Sequence, residues 1–148
     1  MKNTTIILSV LSSLFILGCQ EPAYPAEIHE DVLKTIAMES ANQSDEGMYL
    51  VASVIVNRAS VSGKTLLAIC KAPKQFSCWN SPKWAREWCT SHFDQKARKR
   101  AKKAIEMAII APFPEINHYH TKAVRPYWAN KLVRVKVEGQ HVFYREAK

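Results

Sequence analysis

The sequence predicts an α+β domain: a small helical core closed by a C-terminal β-hairpin. Three observations carry this. Residues 48–56, Met-Tyr-Leu-Val-Ala-Ser-Val-Ile-Val, are apolar except for Ser53. Residues 93–111 repeat small and apolar side chains at helical spacing. Residues 133–144 switch to an alternation of period two, interrupted by Gly139-Gln140.

The 148 residues allow a signal and one domain. Residues 1–18 read as a secretory signal, with Lys2 ahead of an apolar run from Ile6 to Leu17. That run is shorter than the roughly 20 residues a spanning helix needs. Ile16-Leu17-Gly18-Cys19 resembles a bacterial lipobox, in which the cysteine is diacylated after cleavage ahead of it. Ordinary cleavage with an unmodified Cys19 is the other reading. Residues 19–27, containing Pro22 and Pro25, form a tether reaching at most about 25 Å. The domain proper is 28–148.

Its first element is a helix over residues 28–39. Ile28, Val32, Leu33 and Ile36 share one side, and Glu39 falls only about 20° from Ile28. A carboxyl on an apolar face is costly unless it is paired, hydrogen-bonded or kept protonated. The same spacing also fits a carboxylate at a frayed helix end, turned to solvent. The apolar run 48–56 follows, and periodicity alone does not separate a buried helix from a buried strand. Ser44 or Asp45 as a cap, with Glu46 in the first turn, argues for a helix. A glutamate beside a helix buried on every side is placed as a general acid would be.

Residues 60–91 are the least regular part. Ser62-Gly63-Lys64 makes a turn, and Leu66 to Ile69 a short apolar segment. Trp84 and Trp88 stand one helical turn apart, which fits a short helix packing both rings inward. Trp79 is read as a loop residue able to stack on a sugar. Gln75 and Ser77 are read as hydrogen-bonding groups for acetamido substituents, or else as satisfiers of loop backbone. Helix 93–111 starts at Ser91 or Asp94 and stops at Pro112 and Pro114, with Lys96, Arg98, Lys99, Arg100, Lys102 and Lys103 on its outer face. Val133, Val135 and Val137 then alternate with charged residues before the Gly139-Gln140 turn into His141-Val142-Phe143-Tyr144.

Several of these segments resemble the spore-cortex-lytic (SleB-type) cell wall hydrolases. The opening motif is Glu39-Ser40, Glu46-Gly47 and Val51 through Asn57-Arg58. Lys74-Gln75-Phe76-Ser77-Cys78-Trp79 resembles the central segment. His118-Tyr119-His120, Val124-Arg125-Pro126-Tyr127-Trp128 and Gly139 to Tyr144 resemble the C-terminal third. The resemblance covers most of residues 30–145 in the family's order. It implies a loosely lysozyme-like helical core and cleavage of peptidoglycan glycan strands by a lytic transglycosylase. It implies Glu39 as acid and base, and makes Tyr119 and His120 cleft residues. Two other readings stay open: lysozyme-type muramidase hydrolysis, and a non-catalytic peptidoglycan-binding lipoprotein.

Charge and cysteines narrow the partners. The chain holds 21 basic and 13 acidic side chains; with Lys2 removed, 20 against 13 leaves +7. A basic exported domain suits an anionic polymer such as peptidoglycan, and the signal argues against nucleic acid. Cys70, Cys78 and Cys89 allow one disulfide, and Cys70–Cys78 would clamp the Gln75 loop. No C-x-x-C pair or histidine spacing suggests a metal, and no cofactor is expected. The expected product is a monomeric lipoprotein, anchored through Cys19 and facing the periplasm or cell wall.

Overall fold

The computed structural model describes residues 27–147 except 81, 84–86, 88–90 and 92. The signal, Cys19, most of the tether, Trp84, Trp88 and Cys89 therefore lie outside the described residues.

Helix α1 is Glu30–Ser40, started by His29, whose ring nitrogen accepts from the Asp31 N–H at 3.1 Å. Helix α2 is Asp45–Ser62, capped by Ser44, which accepts from Gly47 N–H at 3.0 Å. It ends at Gly63, whose φ of 66° supplies the left-handed stop. Two short helices follow, α3 at Leu66–Lys71 and α4 at Ser77–Asn80. Helix α5, Gln95–Ile110, takes Asp94 as its cap. Three strands close the chain: β1 His118–Thr121, β2 Val133–Glu138 and β3 His141–Arg145, with a 3₁₀ turn at Tyr127–Asn130 before β2.

The apolar run in α2 is explained by what lies on either side of it. Met48, Ala52, Ile55, Val56 and Ala59 join a core with Val32, Leu33 and Ile36 of α1, Ile69 of α3, and Ala101, Ala104, Ile105 and Ala108 of α5. Leu50, Val51 and Val54 face the other way, onto Ile116 and Phe143. A helix between a helical layer and a sheet has no solvent face, so its amphipathic signal vanishes. Each fully buried Leu, Ile or Val here contributes about 1.5–3 kcal/mol relative to exposure.

The polar exceptions along α2 form a row. Tyr49 donates its hydroxyl to Ala111 C=O at 2.6 Å, and Ser53 Oγ accepts from Phe113 N–H at 3.0 Å. Asn57 Nδ2 donates to the carbonyls of Phe113 (2.9 Å) and Ile116 (2.8 Å). Spaced by four residues, these three grip the loop that carries the chain from α5 to β1.

The sheet is antiparallel in the order β1-β3-β2. The period-two hairpin forms as the sequence predicts, with a bulge between Arg134 and Lys136. Gly139 takes φ 52°, and a Cβ there would meet Gln43 Oε1 at 2.1 Å. That oxygen accepts from Gln140 N–H at 3.0 Å, docking the hairpin turn on the α1–α2 connection. Sequence reading placed His118–His120 between a helix and the strands. They form a third strand, on the edge of the sheet.

The expected Cys70–Cys78 disulfide is absent. Both cysteines are buried, and the two are not bonded to each other. Burial pushes the Cys70 thiol up to about 12, against a hydrogen bond with Thr35. Hydrogen bonds clamp the Gln75 segment instead. Asn80 accepts from Lys74 N–H at 3.1 Å and donates to Phe76 C=O at 2.7 Å, while Arg58 holds Gln75.

Candidate active site

Glu39 is the penultimate residue of α1, part-buried where the apolar stripe of that helix ends. Of the three ways to tolerate a carboxyl there, the structure uses hydrogen bonding. Ser77 Oγ donates to Oε1 at 3.0 Å, and Cys78 N–H donates to the same oxygen at 3.1 Å. Tyr119 donates its hydroxyl to Oε2 at 3.0 Å. The donors come from two places, the start of α4 and the edge strand β1. The carboxyl is thus fixed from both sides.

Tyr119 packs its ring against His141 (centroids 4.9 Å apart) and Phe143 (5.7 Å). Burial, then the charge of Glu39 and the hydrogen bond to it, raise its phenol well above the usual range. It therefore remains a donor at any physiological pH. An opening of about 360 Å³ leads to Glu39, lined among others by Asn42, Gln43, Thr121, Gln140 and His141.

The predicted residues separate into groups. Tyr119 joins Glu39, but His120 does not. Successive strand residues face opposite ways, and His120 lies on the far face of β1. There its Nε2 pairs with the Tyr144 hydroxyl at 2.9 Å, and its ring stands 5.7 Å from Trp128. Ser77 is at the site, spent on Glu39. Gln75 is exposed and accepts from Arg58 Nη1 at 3.0 Å. Trp79 lies on α4, not in a loop. Its indole N–H donates to Thr35 Oγ1 at 2.9 Å, and Lys71 Nζ covers the ring at 3.2 Å. With one face occupied and its N–H committed, this indole serves packing between α1, α3 and α4.

Two features escaped sequence reading. The first is His141, buried against Tyr119, with Nδ1 lacking a hydrogen-bond partner among the described residues. The second is the polar row of α2, continued by Arg58. Its signal was available: a polar side chain every fourth residue in an otherwise apolar helix must find buried partners. Asp45 and Glu46, the nearest acids in sequence, are engaged elsewhere. Arg100 bonds Asp45 at 2.8 Å and holds that carboxyl below its usual range, and Lys136 pairs with Glu46.

A helical body with a small antiparallel sheet, and one part-buried carboxyl gripped by three donors at an opening, define an α+β protein. The chain belongs to the cell wall hydrolase family, whose sequence profile matches residues 42–144, and is an enzyme of the cell wall. That match begins three residues after Glu39. The fold is similar to the catalytic domain of the Bacillus cereus SleB protein, at 20% identity and a TM-score of 0.61, over 82% of this chain and 94% of that one. It is also similar to the catalytic domain of the germination-specific lytic transglycosylase SleB from Bacillus anthracis, at 20% identity and a TM-score of 0.62, over 82% of this chain and all (100%) of that one. At this identity the likeness establishes the fold. No curated protein matches the sequence.

Proposed function

We propose that the protein cleaves the β-1,4 bond between N-acetylmuramic acid and N-acetylglucosamine in peptidoglycan, as a lytic transglycosylase with Glu39 as acid and base. The protonated carboxyl gives its proton to the glycosidic oxygen as the C1–O bond breaks. The resulting carboxylate then takes the proton of the muramyl 6-hydroxyl, whose oxygen closes on C1 to form a 1,6-anhydro ring. No water is consumed. The observation that carries this reading is the grip on Glu39 at the opening, by Ser77, Cys78 and Tyr119.

Hydrolysis ordinarily uses a second carboxyl about 5–10 Å from the first. Among the described residues lining the opening, Glu39 is the sole acid. Asn42, Thr121 and Gln140 supply polar groups for the sugars there, the hydrogen-bonding role the sequence suggests for Gln75 and Ser77.

Digestion of purified peptidoglycan tests the assignment. Glu39→Gln is expected to fold and to bind glycan like the wild type, while turnover falls about 10³-fold or more. Wild-type clearing by that variant would end it. The proposal extends to export and anchoring through a diacylated Cys19, holding the domain to the membrane beside the wall. Recovery of the mature protein as soluble material with an unmodified Cys19 would remove the anchor and leave the enzyme reading intact.

A further inference from the structure

Arg58 is the last residue of the Val-Ile-Val-Asn-Arg run, and its hydrogen bonds go to residues beside the Glu39 donors. It holds both segments that supply those donors. Its Nε donates to Asn117 C=O at 2.6 Å, and its Nη1 donates to Gln75 Oε1 at 3.0 Å. Asn117 stands two residues before Tyr119, and Gln75 two residues before Ser77. The guanidinium also lies over the Phe76 ring, 5.7 Å from its centroid, and Phe76 is buried between Gln75 and Ser77 in the chain.

We infer that Arg58 is a positioning residue, setting the two oxygens of Glu39 by fixing both walls of donors at once. The inference rests on Glu39 being the acid–base group. Three arguments support it. Each segment has its own local hold, Asn80 on Lys74 and Phe76 and the Asn117 N–H on Tyr144 C=O at 3.0 Å, but Arg58 joins the two to one side chain. Arginine is the side chain that serves two acceptors in a planar fork, where a lysine ammonium offers a single point. Finally, ten of the 18 residues of α2 are buried, so a side chain anchored there takes its orientation from rigid packing.

The test uses the full-length protein with Arg58→Lys, Gln75→Ala, Tyr119→Phe and the paired variants. Arg58→Lys should lower kcat on peptidoglycan about tenfold or more, with KM within about threefold, because the fault is in transition-state alignment and not in binding. Combined with Tyr119→Phe, part of its penalty should vanish, since one of its two arms acts through Tyr119 and Oε2 while the other acts on the Oε1 donors. Additive penalties, or a wild-type kcat in Arg58→Lys, would overturn the inference.

Gln75→Ala alters an exposed residue and keeps the test alive if Arg58→Lys folds poorly. It should lower kcat, whereas a raised KM with unchanged kcat would make Gln75 a substrate contact and overturn its place in the bridge. A readout independent of turnover separates this inference from the assignment of Glu39. Amide exchange at Cys78 should quicken, and the Tyr119 ring signals should shift, in Arg58→Lys. If both stay as in the wild type, the inference fails even with Glu39 catalytic. If both move while Glu39→Gln retains turnover, the positioning stands and the acid–base reading is what falls.

Discussion

At the scale of single residues, the site is a matter of phase. Glu39 follows Val32 by about two helical turns and so inherits the apolar stripe of α1, which made it legible from the sequence. The Tyr119–His120 pair was not legible in the same way. His-Tyr-His-Thr has no apolar alternation, so nothing in it announces a strand, and only a strand sends these neighbours to opposite faces. Burial of two histidines gives a consequence in pH. His118 and His141 are both held below the ordinary 6.5, by burial first, with the Arg58 charge adding to the effect at His118 and that of His120 at His141. Opposing charges, Glu146 at His118 and Glu39 at His141, pull the other way. As pH falls below about 6.5, the unfolded chain takes these protons before the folded one does. The stability they contribute is therefore complete above that pH and lost as acidification proceeds through the lower folded values. Thermal melts between pH 7.5 and 5 should show a falling Tm, with a shallower fall in His141→Phe. Parallel curves for the two proteins would contradict the assignment to His141.

At the scale of elements, α2 organises the domain, and its sequence told half of this. Nine consecutive residues with one polar exception required burial on all sides, and Ser44 with Glu46 required a helix start. What the run does not reveal is which polar residue meets which partner, since Phe113, Ile116 and Asn117 are more than fifty positions away. Asn57 is the clearest case. Its amide serves two carbonyls of a loop interrupted by Pro112 and Pro114, which have no N–H to give. Asn57→Ala should cost about 2–3 kcal/mol by leaving those carbonyls without a donor. Denaturant unfolding measures this. A loss below roughly 0.5 kcal/mol would mean that water replaces the amide readily. The same limit on reading partners from sequence explains the cysteines. Spacing suggested Cys70–Cys78, but a segment already clamped by Asn80 and Arg58 does not require that bond.

At the scale of the whole molecule, the basic excess and the enclosed α2 describe one economy of design. The outer face of α5 carries six cations, of which Arg98 pairs with Glu30 of α1, Arg100 with Asp45 of α2, and Lys102 with Glu106. Such surface pairs add little stability each. The first two tie α5 to α1 and α2 around the apolar core, while the remaining charge favours an anionic polymer. Against that polymer the proposed reaction needs a single carboxyl, Glu39, for both proton transfers, and no water enters. Mass spectrometry of the fragments released from purified peptidoglycan tests it most directly. The wild-type protein should release fragments with 1,6-anhydromuramyl ends, and Glu39→Gln should release none. Muramyl reducing ends, one water heavier, would contradict it.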